Sequence, residues 1–532
     1  MTEAQLSESR DWTGHWWLPD EPDKKVPGIL SFAPGTGLRL RLIGGWDYQV
    51  TRPGPNGSTI ITDQTKVWPM VHGYGDNAPV TLLNVSLVTA RGGFFGEPDT
   101  LEVRANTALV GALMEAPDEA AFVAGVGDIE DLTVWSRRSG VDSRVQFNAQ
   151  GGETMGEIEL RRLAPLTATA GPLRVKLSHY AWYPFSEDSR AQRVTRVRES
   201  QVIRFERDDP QPLKYWVDLL SSTADLMSLS TLRACGIVSM RVYVPPTPDQ
   251  WPGDHPMRDQ QHEVAIYMER VVKPRPDDDA LPFRNYVLTL DDLPFEELMP
   301  RWLEVRDKFA AARSMILGLR YVRNGYVETR LVTAVAAAES MHRALEPSPP
   351  IPPAEFKEMR RTLLGAVAPE QKAWLADRLT EHSNVPTLKQ RLLDLVSRLG
   401  DAGLRLVHDP GIWAKSAKDG RNLLAHTGTA SNDLEHLHAV TEVTAAVVIL
   451  NLLHELGVPQ AVLSKAVDEH PVLSHAAHLA RRVLCDDDSI VIQIATRSVV
   501  AADPSSSDET TRGADSAAPD ADDGSSRKRP RE

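Results

Sequence analysis

Cysteine is almost missing from these 532 residues: Cys235 and Cys485 are the only two, and they lie far apart in the chain. That excludes a disulfide framework and a Cys-x-x-Cys metal clip, and it suits a reducing, cytoplasmic interior. Positive charge is outnumbered, with 59 Lys and Arg against 73 Asp and Glu. A formal net charge of −14 argues against an indiscriminate nucleic-acid coat protein, while leaving room for a local basic site. The longest apolar run, 439–456, is interrupted by Thr441, Glu442, Thr444, Asn451, His454 and Glu455. It therefore reads as a buried core helix and not as a membrane span. Residues 1–10 are polar, with neither the basic region nor the apolar core of a signal peptide. No Gly-x4-Gly-Lys phosphate loop, His-Glu-x-x-His zinc helix or Gly-x-Ser-x-Gly elbow occurs, so nucleotide hydrolysis, zinc proteolysis and serine hydrolysis have no local support. His436 with His438, and His475 with His478, are close pairs without a convincing third ligand. No metal and no cofactor are expected.

With 42% hydrophobic and 25% charged residues, the chain has ordinary globular composition. Its length allows roughly two to four domains. From residue 12 to about 290 short β-branched and aromatic runs alternate with Gly, Pro, Asn and Asp. Strands are expected at 28–32, 38–43, 80–88, 156–160, 201–205, 238–244 and 263–272, in a sandwich-like β architecture. One helical interlude is expected at 115–124, and an internal seam near 164–171. After 293 the period becomes helical. Helices are expected at 296–319, 321–345, 354–367, 370–382, 388–399, 412–426, 434–456 and 461–484, with the proline cluster 347–353 stopping the second. A closing strand is expected at 489–499.

The fold class is thus α+β and multidomain. A leader over 1–11 precedes a β-rich domain over 12–292, an all-α bundle over 293–458, a helical extension over 459–502 and a disordered tail over 503–532. The basic stretch 527–531 in that tail reads as a solvated charge run.

The pattern that carries chemistry is Arg421-Asn422-Leu423-Leu424-Ala425-His426. A cation and an imidazole are the minimum equipment for cutting RNA without a metal. The arginine holds phosphate with a planar fork, and the histidine gives and takes protons near neutrality. The same Arg-x4-His spacing occurs at Arg10 to His15 and at Arg174 to His179, but only the 421 copy has strong helical patterning on both sides. On a continuous helix Asn422 and His426 share a face at i,i+4. Arg421 starts well round the cylinder and must reach back or serve a neighbouring subunit, which points to a composite site across a dimer. The plainer alternative is that Arg421 pairs with a surface carboxylate and His426 is a polar residue near a helix end. Lys415 and Lys418 lie within two turns and are candidates to draw in an RNA backbone, with ordinary helix solubility as the alternative. Trp12, Trp16 and Trp17 could form a stacking platform, though core packing of a β domain accounts for them more simply.

The order of parts resembles a known family. Arg421-Asn422-x3-His426, set between a tryptophan-containing helix and a long apolar helix, is similar to the HEPN superfamily, whose active members are metal-independent RNases. The preceding text resembles the ApeA-like branch of anti-phage defence proteins. It includes Gly14-His15-Trp16-Trp17-Leu18-Pro19, 28–32, Leu38-Arg39-Leu40, His72-Gly73 with 80–83, and Trp135. On the helical side Trp302, the helix 330–343 with Glu339, and Leu456-Gly457 also match, so the likeness spans most of 12–458.

The resemblance implies that Arg421 and His426 are the catalytic pair, with Asn422 beside them and Glu339 as an acidic residue on an early helix. It implies an RNA substrate, such as tRNA or another structured RNA, and a homodimer or higher homo-oligomer; a phage-derived trigger is expected at the N-terminal domain, whose ligand the resemblance does not give, and no membrane is expected. Two other readings stay open: a non-catalytic HEPN-type dimerisation protein, and a carbohydrate-binding β-sandwich with a helical appendage, suggested by Trp12, Trp16, Trp17, Trp46 and Trp68.

Overall fold

Alternation of apolar and polar side chains builds the first half of the chain. In β2 (Val26–Ala33) Val26, Leu30 and Phe32 are buried while Ile29 is exposed, and in β3 (Gly37–Ile43) Leu38, Leu40 and Leu42 point in while Arg39 and Arg41 point out. Period-two alternation of this kind puts one face of each strand into a core. The computed structural model describes residues 6–92, 98–248, 253–256, 258–272, 281–282, 285–322, 325–380, 383–427 and 433–485. The expected closing strand at 489–499, the tail at 503–532 and its basic stretch at 527–531 lie outside these.

β1 (Arg10–Trp17), β2 and β3 are followed by the small hairpin β4 (Gln49–Pro53) and β5 (Thr59–Thr65). Next come β6 (Val67–Gly75), β7 (Ala78–Arg91) and β8 (Thr100–Ala105). Antiparallel pairing runs β1–β2–β3–β8–β7–β6 and back to β1, closing a six-stranded barrel. Trp12, Trp16 and Trp17, considered as a stacking platform, and Trp46 and Trp68, which with them suggested carbohydrate binding, are all buried. Gly73 is what admits Trp16: a Cβ there would sit 2.1 Å from the indole ring.

β7 is long enough to serve two neighbours. Its far half pairs with β8, and its near half with β9 (Thr107–Val110). Then come β10 (Phe122–Ile129), the one-turn helix α1 (Leu132–Trp135), the hairpin β11 (Val141–Phe147) and β12 (Glu153–Leu160), β13 (Leu166–Ala170), β14 (Leu173–Asp188) and β15 (Arg193–Gln211). α2 (Leu213–Thr231), β16 (Ile237–Val244) and β17 (His262–Met268) complete the region. From β9 the sheet continues through β17, β16, β10, β15 and β14 to β13, giving one continuous sheet of thirteen strands. The β-rich architecture expected of the sequence therefore takes the form of a barrel continued into an open sheet.

The expected helix at 115–124 is not formed. Pro117 opposes it, residues 115–121 form turns and irregular chain, and Phe122 opens β10, which is buried on both faces and so shows no alternation. The helix that does belong to this region, α2, lies on the open sheet with Trp216 against Gly125 and its indole N–H donating to the Phe122 carbonyl at 3.1 Å. Its buried Ser222, Thr223, Ser228 and Thr231 each donate back to a carbonyl three or four residues earlier, which is how so polar a helix is buried.

The second half is helical: α3 (Phe295–Lys308), α4 (Ala310–Tyr321), α5 (Val327–Ala344), α6 (Pro353–Ala366), α7 (Pro369–Arg378), α8 (Leu388–Arg398), α9 (Gly400–Val407), α10 (Pro410–Thr427), α11 (Leu434–Glu455), α12 (Gln460–Glu469) and α13 (Pro471–Val483). The single helices expected at 296–319 and 461–484 are each two, broken at Phe309 and at His470 before Pro471. α9 was not expected. α11 is the centre of the bundle. It is long and apolar enough to cross a membrane, but 83% of its most apolar window is buried by protein, with α5, α10, α13, α8 and α9 packed around it. One apolar cluster runs from Trp135 and Trp216 beside the open sheet through Trp302 to Trp413 and Ile449, and a second fills the barrel.

Candidate functional site

α10 begins where Asp409 accepts the Ile412 N–H at 2.9 Å and Pro410 takes the first turn, where a missing N–H does no harm. Trp413, Ala414 and Ala417 are buried, Leu424 packs partly buried against the core, and the Trp413 indole N–H donates to Thr444 on α11 at 3.2 Å. Positions 413, 417, 420 and 424 thus form the inward stripe of an amphipathic helix. Gly420 lets neighbouring helices close in: a Cβ there would stand 3.0 Å from Leu331 on α5 and 3.8 Å from Leu437 on α11.

The opposite stripe holds the expected site. Lys415, Lys418, Asn422 and His426 follow at i, i+3, i+7 and i+11, and Arg421 sits at the margin between the two stripes. Lys415 and Lys418 are exposed, with Lys418 3.5 Å from Asp419, while Arg421 and Asn422 are half-buried. Arg421 Nη1 donates to the Asn422 side-chain carbonyl at 3.3 Å. Among the described residues Arg421 makes no ion pair with a carboxylate, which is the partner the plainer reading of this motif requires. The backbone of His426 is in the last turn of α10; its side chain lies outside what is described. Among the described residues no three His, Cys, Asp or Glu side chains gather as metal ligands.

Glu339 is placed differently. Its carboxylate accepts from Arg343 at 2.7 Å and stands 3.7 Å from Arg391 on α8. α5 meets α10 at Leu331, and Glu339 lies two turns further along, about 12 Å at the rise of an α-helix. In this arrangement Glu339 joins α5 to α8, while Leu331 of α5 lies against Gly420, the residue before the motif. No spacing in the sequence distinguishes the two, because only the crossing point of α5 and α10 does so. The same stretch of α5 is fixed to α11 by Arg330, whose Nη2 donates to Glu442 at 3.2 Å.

Two family models match the chain. ApeA N-terminal domain 1 covers residues 11–302, and Apea-like HEPN covers residues 332–462, which contain α8 to α11 and all of the motif. No curated protein and no solved structure matches it.

Proposed function

This chain belongs to the ApeA family, and from that membership we propose that it is a metal-independent endoribonuclease of anti-phage defence, acting in the cytoplasm. In this reading the region before α3 senses a phage-derived trigger and the helical region cuts RNA. The observation that carries the proposal is α10 itself: a half-buried Arg421–Asn422 pair, position 426 one turn beyond Asn422, and two exposed lysines on the same stripe.

The chemistry is attack of a ribose 2′-hydroxyl on the adjacent phosphate, leaving a cyclic phosphate and a 5′-hydroxyl end. His426 moves protons, and Arg421, oriented by Asn422, stabilises the charge that develops on the phosphate oxygens. Lys415 and Lys418 draw in the backbone. Because the nucleophile belongs to the substrate, RNA is cut and DNA is not.

One motif offers one imidazole, whereas strand scission calls for a base and an acid. A twofold assembly through the helical region supplies both. Sedimentation at assay concentration tests this part: cleavage is expected to follow the dimer or a larger assembly, and a fully active monomer would refute the composite site. Mixing an Arg421→Ala chain with a His426→Ala chain should restore part of the activity that each lacks alone.

A further inference from the structure

Beyond the body of the open sheet β14 and β15 continue as a ribbon of their own. β14 leaves β13 at Leu177 and β15 leaves β10 at Ile203, so among the described strands residues 178–188 and 193–202 pair only with each other. The two faces of the ribbon differ. One is tied down at its root: Glu199 accepts from the Ser139 hydroxyl at 2.6 Å and from the Gly140 N–H at 2.8 Å, beside the buried side chain of His179. The other carries Tyr180, Trp182 and Phe185 on β14, opposite Ser200, Arg198 and Arg196 on β15, and side chains directly opposite in an antiparallel pair share a face. A bulge sets three residue steps of β14 against two of β15 between Trp182 and Phe185. Without it those two rings would point to opposite faces.

Nothing in the fold covers these aromatics. Phe185 is 64% exposed and Tyr183, inside the bulge, 86%, and a contiguous exposed apolar patch of this kind marks an interaction surface. Its charge is of one sign. From 180 to 198 there are four arginines, no lysine and two carboxylates, in a chain of net charge −14. Both carboxylates are engaged, Asp188 accepting from Arg193 at 2.8 Å and Glu187 standing 3.9 Å from Arg196. Among the described residues Arg190 and Arg198 have no carboxylate partner. The tip, 189–192, is polar, so the rings lie along the ribbon and not at an end that would enter a bilayer.

We propose that this face binds single-stranded RNA, with bases stacked on Tyr180, Trp182 and Phe185 and phosphates held by Arg196 and Arg198. Successive rings are two strand residues apart, about 6.6 Å, whereas each strand of a duplex advances only about 3.4 Å per base. The spacing therefore suits splayed, unstacked bases, which stack on aromatic rings and on guanidinium planes. The local excess of arginine in an acidic protein directs a polyanion to this face. Binding stands on the ribbon alone, whereas its use in presenting RNA to α10 rests on the ribonuclease reading above.

Fluorescence anisotropy of a labelled oligouridine, with the full chain carrying His426→Ala and in EDTA, reads binding without cleavage. Trp182→Ala and Phe185→Ala should each weaken binding by at least about fivefold. Arg198→Gln should lower the slope of log affinity against log salt by about 0.7. The three side chains are exposed, so the variants should keep the parental circular dichroism. Photo-crosslinks from thiouridine in the same oligomer should fall within 180–185. Unchanged affinity in both folded aromatic variants, or crosslinks that all fall elsewhere, would overturn the site; if those variants also sediment as a smaller assembly, the face belongs to a second copy of the chain. An RNA duplex weakened as much as oligouridine by Trp182→Ala would overturn the single-strand assignment, and an unchanged salt slope in Arg198→Gln would overturn its phosphate contact. A parent that binds through the ribbon and cuts nothing would leave this inference standing and refute the ribonuclease reading alone.

Discussion

Substitution of Gly420 probes the contact on which the placement of Arg421 depends. In Gly420→Ala two effects oppose each other. Alanine favours the helix over glycine by about 0.8–1.0 kcal/mol. The new methyl would stand 3.0 Å from the end of the Leu331 side chain, and pushing that buried leucine off its rotamer costs about 0.5–1.5 kcal/mol. The two nearly cancel, so Gly420→Ala should stay within about 0.5 kcal/mol of the parent. Gly420→Val adds two further methyls between Leu331 and Leu437, both buried. Overpacking of this kind costs about 1–3 kcal/mol, and it should displace the turn that carries Arg421. Urea denaturation followed by tryptophan fluorescence gives the stabilities, and an RNA cleavage assay gives the displacement. The expected order of stability is parent about equal to alanine, then valine, with cleavage falling in the valine variant alone. A valine variant as stable as the alanine variant would refute the close packing of α5, α10 and α11.

Trp413→Ala should cost about 3–5 kcal/mol, because Trp413 is fully buried and its indole N–H is held by Thr444; an unchanged denaturation midpoint would contradict the inward face assigned to α10. Glu339→Gln should leave RNA cleavage within a few-fold of the parent while loosening the α5–α8 contact, and a loss as deep as that of Arg421→Ala would return Glu339 to the site. Glu199 gives a pH test in the β-rich region: burial pushes its carboxyl up, but hydrogen bonds from Ser139, His179 and the Gly140 N–H outweigh this and hold it below its ordinary value. Its contribution is therefore present above the ordinary glutamate range and lost as pH falls through the lowered value. Glu199→Gln should destabilise by about 1–3 kcal/mol at neutral pH, with the difference from the parent shrinking in acid; a difference that stays constant with pH would contradict this.

What could be read from the sequence was what repeats locally. Leu38, Leu40 and Leu42 announce a strand by alternation, and Trp413, Ala417 and Leu424 announce the inward face of α10. The motif could be singled out because its arginine and histidine fall on such a helix. β10 was hidden because it is buried on both faces, and α2 because its inward side chains include hydroxyls that satisfy themselves on their own backbone. Closure of the barrel depends on β7 pairing with both β6 and β8, and its continuation into the open sheet on β7 pairing with β9, matters of long-range register that no window of sequence contains. Glu339 was legible as an acid on an early helix, but the partners that occupy it, Arg343 and Arg391, appear only once α5 and α8 pack together.

The central claim is that Arg421 and His426 cut RNA without a metal. The most direct measurement incubates the full chain, its Arg421→Ala variant and its His426→Ala variant with RNA in EDTA, and sequences the ends produced. The parent should yield cyclic-phosphate and 5′-hydroxyl ends, and each folded variant should cut at least about a hundredfold more slowly. Cleavage by either variant at the parental rate, or parental cleavage that appears only when a divalent metal is added, would contradict the account.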